Sequence, residues 1–286
     1  MLLHITLIHN NELERLAYIR PLLKRVAETY TVNYTEINHQ TLKYVSLPNV
    51  LIRKIYFIYT GHKWRKFLNG EKFKIFFDSV YELLFDTLKL LNKNFRISVR
   101  KKISIEDALS RKHFKALKDF SILGKSDDIL ICFESDAIIA SIDYFFESLN
   151  YLIRTVDVNN FYLFAFPFSE KDICLNDAEW KEAHREKLSS EYNTDADVIY
   201  FPKLFTNTAC AYAMTHELAC QLVANSKNKF RRIYLPADFH QNLVFLKLAK
   251  KSLSLFAKTV IFMPPPIVNG SLKSYYNSEL SSIDEN

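Results

Sequence analysis

The opening of the chain, through Ile37, reads as strand, helix, strand, and that order constrains the fold more than any other feature of the sequence. Residues 2–8 (LLHITLI) form an apolar run of strand length. ELERLAYIRPLLKRVAET then sets Leu13, Leu16, Ile19, Leu22, Leu23 and Val26 at helical spacing, and TVNYTEI alternates with a period of two. Strands joined through a crossover helix lie parallel, because the helix returns the chain to the end at which the first strand began. Pro21 falls inside that helix, where it removes a donor and is expected to strain the middle turn. Parallel sheets carry helices on both faces, so their inner strands should be continuously apolar.

Residues 129–133 (ILICF) are a strand of this kind, and they end abruptly in Glu134, Ser135 and Asp136 before Ala137, Ile138 and Ile139 resume the apolar run. In an extended chain residues i and i+2 project to the same side, so both carboxylates are expected to face one point at the strand's carboxyl end. Open α/β sheets bind their ligands at that end. Two carboxylates offer hard oxygens to Mg²⁺ or Mn²⁺, ions that keep several waters and are commonly completed by substrate phosphates. Two solvated acids at a strand end are the plain alternative.

The remaining pattern supports one α/β domain over residues 1–286, a Rossmann-type, mostly parallel sheet flanked by helices with a helical insertion at 45–100. Within that insertion FFDSVYELLFDTLKLLNKN is the clearest amphipathic segment. SIEDALSRKHFKALKDFSIL carries a capping-box start, Ser104 with Asp107 three residues on, and leads into the strand with the acids. YFFESLNYLIRTV reads as a helix and NFYLFAFPF as a strand. Residues 169–197 read as a polar loop and 198–205 as an extended piece. THELACQLVANS is helical, another helix follows PADFHQ, and 259–263 is a strand ahead of PPPIVNGS.

Composition removes several function classes. Aromatic residues make up 14% and glycines number four, with no G-x-G-x-x-G or Walker pattern, which excludes glycine-loop dinucleotide and P-loop chemistry. Cys132, Cys174, Cys210 and Cys220 are scattered, forming neither a disulfide framework nor a zinc spacing, and read as thiols of a reducing compartment. MLLHITLIHNNELER is too short and too quickly charged for a secretory signal, and no apolar stretch is long enough to span a bilayer. A cytoplasmic protein is expected, with peripheral contact at the inner face of a membrane through the basic aromatic stretch WRKFLNGEKFKIFF. The net charge of +6 is concentrated between Arg96 and Lys118, which suits phosphate-bearing partners, a solvated helix face being the competing reading. Nucleic acid is not an expected partner, because no binding motif is present and Glu134 and Asp136 would repel a phosphate backbone.

Several separated segments, in order, resemble glycosyltransferase family 25, the lipooligosaccharide and collagen galactosyltransferase type. ITLIHNNELERLAYI is similar to the family's opening strand, polar turn and Arg, here His9, Asn10 and Arg15. ALSRKHFKAL resembles its Ser-His helix, with the adjacent pair spread to Ser110 and His113. ICFESDAII stands in place of its Glu-Asp-Asp motif, the middle acid having become Ser135. TNTACAYAMTHELACQLV, with Ala211 and Tyr212, resembles the strand leading to a Ser/Thr-capped helix. LPADFHQNLVF resembles the Pro-x-Asp motif, with Pro236 and Asp238, and FMPPPIVNGSLKSYYNS the closing Pro-Pro and Gly-Ser segment.

The resemblance implies a GT-A type, inverting transferase that moves a sugar from a nucleotide-diphospho-sugar, UDP-linked and galactose-like, to an acceptor hydroxyl of an oligosaccharide or lipid-linked bacterial surface glycan such as lipooligosaccharide or capsule. On that basis Asp136 and Glu134 hold the metal, Mn²⁺ or Mg²⁺, and contact the donor. Loss of the middle acid at Ser135 weakens the metal requirement and shifts leaving-group neutralisation toward Arg15, Lys112, His113 and Lys273. Asp238 and His240 are the catalytic base candidates, an N-cap aspartate and a structural histidine being the alternatives. His9, Asn10, Ser110, Asn207, Thr208, Gly270 and Ser271 complete the donor contacts, with Tyr275 and Tyr276 on a closing tail. A noncatalytic glycan- or partner-binding member of the same fold is the second expectation, motivated by Ser135.

Overall fold

The computed structural model describes residues 1–38, 42, 45–55, 81, 84–85, 87–157, 160–165, 181–188, 196–206, 210–226, 237–250 and 258–270. Asn207, Thr208, Pro236, Ser271, Lys273, Tyr275, Tyr276 and the stretch WRKFLNGEKFKIFF lie outside the described residues, as does much of the expected insertion.

The opening pattern folds as expected. β1 (Leu3–Ile8), α1 (Leu13–Thr29) and β2 (Val32–Ile37) form a β-α-β unit whose strands pair in parallel, Leu3 opposite Val32 through Ile8 opposite Ile37. α2 (Lys93–Leu123) then carries the chain to β3 (Ile129–Glu134), which pairs with the other edge of β1, again in parallel. β4 (Ala137–Ile139), α3 (Ile142–Thr155), β5 (Phe161–Leu163), β6 (His184–Lys187), β7 (Asp197–Phe201), β8 (Ala211–Thr215), α4 (His216–Asn225), α5 (Ala237–Lys250), β9 (Thr259–Met263) and β10 (Ile267–Asn269) follow. The main sheet has eight strands in the order β2-β1-β3-β8-β5-β9-β7-β6. β7 and β8 run against the direction shared by the other six, so the sheet is mixed but mostly parallel in strand direction. β4 and β10 pair separately as an antiparallel ribbon.

Alternation along β3 divides the core in two. Ile129, Ile131 and Phe133 face a cluster completed by Leu16, Ile19 and Val26 of α1 and Phe145 and Leu149 of α3. Leu130 and Cys132 face the opposite cluster, which holds Ala116, Leu117 and Phe120 of α2, Leu218 and Leu222 of α4 and Val244 and Phe245 of α5. Helices therefore cover both faces, which is why the strand is apolar without interruption. A third, small cluster of Val45, Val50, Leu90 and Ile103 joins the helical segment 47–55 to the front half of α2.

Three local expectations are corrected. α2 starts eleven residues before Ser104: its N-cap is Asn92, whose side chain accepts from the N–H groups of Asn94 (2.9 Å) and Phe95 (3.2 Å), while Ser104 lies mid-helix and donates to the Arg100 carbonyl. An asparagine cap satisfies orphan donors as well as serine does, and the apolar contacts of Leu90 and Ile103 extend the helix backward. The stretch 169–197 contains β6, paired antiparallel with β7. α5 starts at Ala237, inside PADFHQ rather than after it. As its spacing implied, α1 runs through Pro21; Pro21 and Ala17 are both exposed, so the carbonyl that loses its partner is on the solvent side of the helix. Among the described residues no helix is long and apolar enough to cross a membrane.

The β2 edge is tied down by charge. Glu36 accepts from Arg20 Nε at 2.9 Å and Nη2 at 2.7 Å and from the Tyr34 hydroxyl at 2.7 Å. The Arg20 hydrogen bonds, followed by Tyr34 and the nearby His9, outweigh partial burial and hold its carboxyl at about 2 rather than the ordinary 4.5. A depressed carboxylate stabilises the fold above its unfolded value and loses that contribution as pH falls through the folded one. The native chain is thus expected to lose an increment of stability between pH 4.5 and about 2 that Glu36→Gln lacks. Acid titration of both chains followed by circular dichroism checks this, and superimposable curves would contradict it.

Candidate functional site

The order of the first three strands creates the site. From β1 the chain crosses to β2 on one side, and from β2 it returns past β1 to β3 on the other, so a crevice opens at the carboxyl ends of β1 and β3. Such switch points are where doubly wound sheets bind ligands.

On the β1 side the chain turns through His9, Asn10 and Asn11 into α1. Asn11 has a φ of 67°, a left-handed conformation that asparagine tolerates better than most residues. His9 is nearly fully buried. Its Nδ1 accepts from the Asn11 N–H at 3.1 Å, so Nε2 carries the proton and donates to Glu36 Oε2 at 3.1 Å. Both ring nitrogens of His9 are thereby used inside the protein, and the residue acts as a strap for the turn. Its carbonyl accepts from Lys112 Nζ at 2.6 Å, and Lys112 also donates to Asn10 Oδ1. Lys112 is only 1% exposed, so this amine is a buried group placed at the crevice by α2 and not a surface charge.

On the β3 side the strand ends at Glu134, and Ser135 and Asp136 form the turn into β4. Ser135 N–H donates to the Ile8 carbonyl and Glu134 N–H to the Cys210 carbonyl, both at 2.8 Å, so the acidic turn is stitched to β1 and to the start of β8. Glu134 shares its side of β3 with Leu130 and Cys132 and meets α2. His113 Nε2 lies 2.8 Å from Glu134 Oε1, and His113 Nδ1 lies 3.0 Å from the Tyr212 hydroxyl. Burial, with the Cys132 thiol alongside, pushes the Tyr212 phenol well above its ordinary value, so it keeps its proton. The phenol then donates to Nδ1 and the imidazole Nε2–H donates to Glu134, an assignment that follows from the hydrogen-bond network.

Asp136 Oδ1 accepts from the Cys210 thiol at 3.6 Å. Burial, then Asp136, then Glu134 raise the Cys210 thiol well above its usual range, and Asp136 sits in a turn rather than on the strand. Burial likewise pushes Cys132 up to about 12. Thiols held protonated in this way are poor nucleophiles, which argues against cysteine catalysis at this site.

Glu12 joins the two sides. As N-cap of α1 it makes no capping bond with its side chain; its Oε2 instead accepts from Asn10 N–H at 2.6 Å and from Ser135 Oγ at 3.3 Å, with Arg15 3.7 Å from Oε1. One carboxylate thus bridges the β1 turn and the acidic turn, and Ser135 meets an acid where a third acid would be repelled. Ser110 is half-buried on α2, three residues before His113. Gly270 follows β10, and its N–H donates to the Asp136 carbonyl at 2.8 Å, fixing the acidic turn. Asp238 and His240 lie half-buried in the first turn of α5, and burial lowers the His240 pKa, favouring the neutral imidazole. Gln241, the next residue, is buried beside Tyr212. Asn242 clamps Thr206 by accepting from its N–H at 2.8 Å and donating to its carbonyl at 2.7 Å.

Sequence reasoning missed Glu12, Tyr212 and Gln241 as members of this group. Glu12 had a readable signal, an acid three residues before Arg15 at a helix start. Tyr212 carried none, because its partner is 99 positions away. Among the described residues no three His, Cys, Asp or Glu side chains converge as a ready metal cage; Glu134 and Asp136 are two hard-oxygen donors that fit a divalent ion only as part of its shell, phosphate and water supplying the rest. A scan against protein-family models finds no match, and a search of curated proteins finds none.

Replacing Tyr212 by Phe keeps the ring and removes the hydroxyl from the buried His113. A destabilisation of about 1–3 kcal/mol is expected, the cost of an unsatisfied buried polar group. Urea unfolding should show a lower midpoint with an unchanged slope; an unchanged midpoint would contradict the assignment of the phenol as donor to Nδ1.

Proposed function

We propose that this chain is a glycosyltransferase that binds a nucleotide-diphospho-sugar at the crevice between β1 and β3 and moves the sugar, with inversion, to an acceptor hydroxyl of a surface glycan. The observation that carries the reading is the meeting, through the Glu12 bridge, of a buried amine and two carboxylates at the switch point of the sheet. The ordered resemblance of the flanking segments to family 25 supports the same assignment, and a UDP-linked, galactose-like donor is the specific form it favours.

The chemistry is a displacement at the anomeric carbon. A bond forms from the acceptor oxygen to that carbon, the bond to the diphosphate oxygen breaks, the electron pair leaves with the diphosphate and the hydroxyl proton passes to a base. Charge on the leaving diphosphate needs a preorganised counter-charge. Lys112 is held at the crevice by His9 and Asn10, and Arg15, in the first turn of α1, stands 3.7 Å from Glu12. Glu134 and Asp136 would hold a divalent ion, which supplies Lewis-acid neutralisation of the same phosphates when bound. His113, fixed by Tyr212, sets the orientation of Glu134. Asp238 and His240 are the base candidates, and a histidine kept neutral by burial is in the state that accepts a proton.

A thermal-shift screen against UDP, CMP and GDP and their sugars, with and without Mn²⁺, tests the donor assignment. One nucleotide is expected to stabilise the chain by about 2.7 kcal/mol at a hundredfold excess over its dissociation constant. Asp136→Asn is expected to keep its melting temperature without ligand and to lose transfer by about 10²-fold or more. Absence of any nucleotide-dependent shift would sink the reading, and normal turnover by a well-folded Asp136→Asn would remove Asp136 from the site.

A further inference from the structure

The described part of the 45–100 region presents an apolar surface that no other described residue covers. Residues 87–89 end a helix, 90–92 turn, and α2 begins at Lys93. Leu90 points inward and joins Val45, Val50 and Ile103 in the small third core, while the Arg100 Nε donates to the Val45 carbonyl at 2.6 Å and Arg53 pairs with the buried Glu106. The tip is thus anchored from behind. Its outer side carries Leu84, Phe85, Leu88, Leu91, Phe95 and Ile97, all exposed, with Leu88 at 63% and Leu91, in the turn itself, at 76%. Exposed apolar residues gathered on one tip mark an interaction surface rather than ordinary surface scatter.

The charge around this tip selects its occupant. Lys89, Lys93 and Lys101 are exposed, and Arg96 and Arg100 are half-buried alongside. Lys89 Nζ stands 4.4 Å from the Phe85 ring centroid and 5.9 Å from that of Phe95, so the ammonium sits at the rim of the apolar patch. A second copy of the chain docked face to face would bring two basic rims together, which is unfavourable. The exposed apolar side chains lie on both arms and in the turn, and a lipid interface can take them without a pocket in the partner. Apolar side chains below and cations at their rim is the arrangement by which amphipathic elements bind anionic bilayers.

We propose that the helix-turn-helix tip around Leu88–Lys93 seats the protein on an anionic lipid surface, with Leu88 and Leu91 entering the interface and Lys89 and Lys93 meeting lipid phosphates. This contact is independent of the sugar-transfer reading, and its test involves no nucleotide or sugar. Sedimentation of the full chain is measured with phosphatidylcholine vesicles and with vesicles containing roughly one-third phosphatidylglycerol. Binding is expected only to the anionic vesicles, and it should weaken by about fivefold for each of Lys89→Ser and Lys93→Ser. The double variant L88S/L91S should bind more than about tenfold more weakly. All variants are expected to keep the parent melting temperature, since the four side chains lie outside the cores.

Failure to sediment with anionic vesicles at low salt would overturn the proposal, as would full binding by L88S/L91S, which would reduce the contact to charge alone. A dimer in solution that L88S/L91S dissolves would give the tip to a second copy instead. Displacement from vesicles by soluble polyglutamate at equal charge would give it to an acidic protein.

Discussion

The crevice depends on β1 being hydrogen-bonded along both edges to strands that run its own way. Backbone groups of β1 bond to β2 on one side and β3 on the other, in matched registers that begin at Leu3 and end at Ile8. With both edges occupied, the two crossovers that join these strands run toward opposite edges of the sheet and lie on opposite faces, α1 on one and α2 on the other. The turn His9–Asn11 and the turn Ser135–Asp136 are therefore neighbours because of strand pairing, and the Ser135 N–H bond to the Ile8 carbonyl extends the same ladder past the strand ends. Side chains at these positions inherit a fixed placement that no local sequence preference has to supply.

On that frame the polar groups are arranged so that each one's orientation is set by another. Asn11 fixes the tautomer of His9, His9 offers its carbonyl to Lys112, and Tyr212 fixes the imidazole that holds Glu134. Buried polar groups linked in this way are rigid because each would be left unsatisfied by a small movement. The proposed sugar transfer would gain from such rigidity, since groups already fixed in place need no reorganisation during reaction. The tip that the third core anchors lies on the front half of α2, the same helix that delivers Lys112 and His113 to the crevice, so one helix connects the exposed apolar surface to the site.

How much of this the sequence disclosed depended on the range of the interaction. The β-α-β opening, the buried β3 and its acidic end were legible because period and burial are local signals: Ile129 to Phe133 could only be a covered strand, and Glu134 and Asp136 interrupt it visibly. The start of α2 was misplaced because Ser104 and Asp107 imitate a cap, whereas the contacts that extend the helix back to Asn92 come from Val45 and Val50, about fifty positions away. Lys112 resembles any surface lysine in sequence; its burial arises only when α2 packs beside the β1 turn. Tyr212 is silent, since its role lies in a contact across 99 positions, and of Glu12 only the helix-start acid is readable, its bond to Ser135 spanning 123 positions.

The central claim is that the crevice between β1 and β3 holds the donor. The most direct measurement is a crystal structure of the protein grown with Mn²⁺ and a nucleoside diphosphate, collected at a wavelength where manganese scatters anomalously. The account predicts a manganese peak coordinated by Asp136 or Glu134, with the diphosphate against Lys112 and Arg15 at the carboxyl ends of the two strands. A nucleotide bound at any other place, with these four side chains untouched, would contradict it.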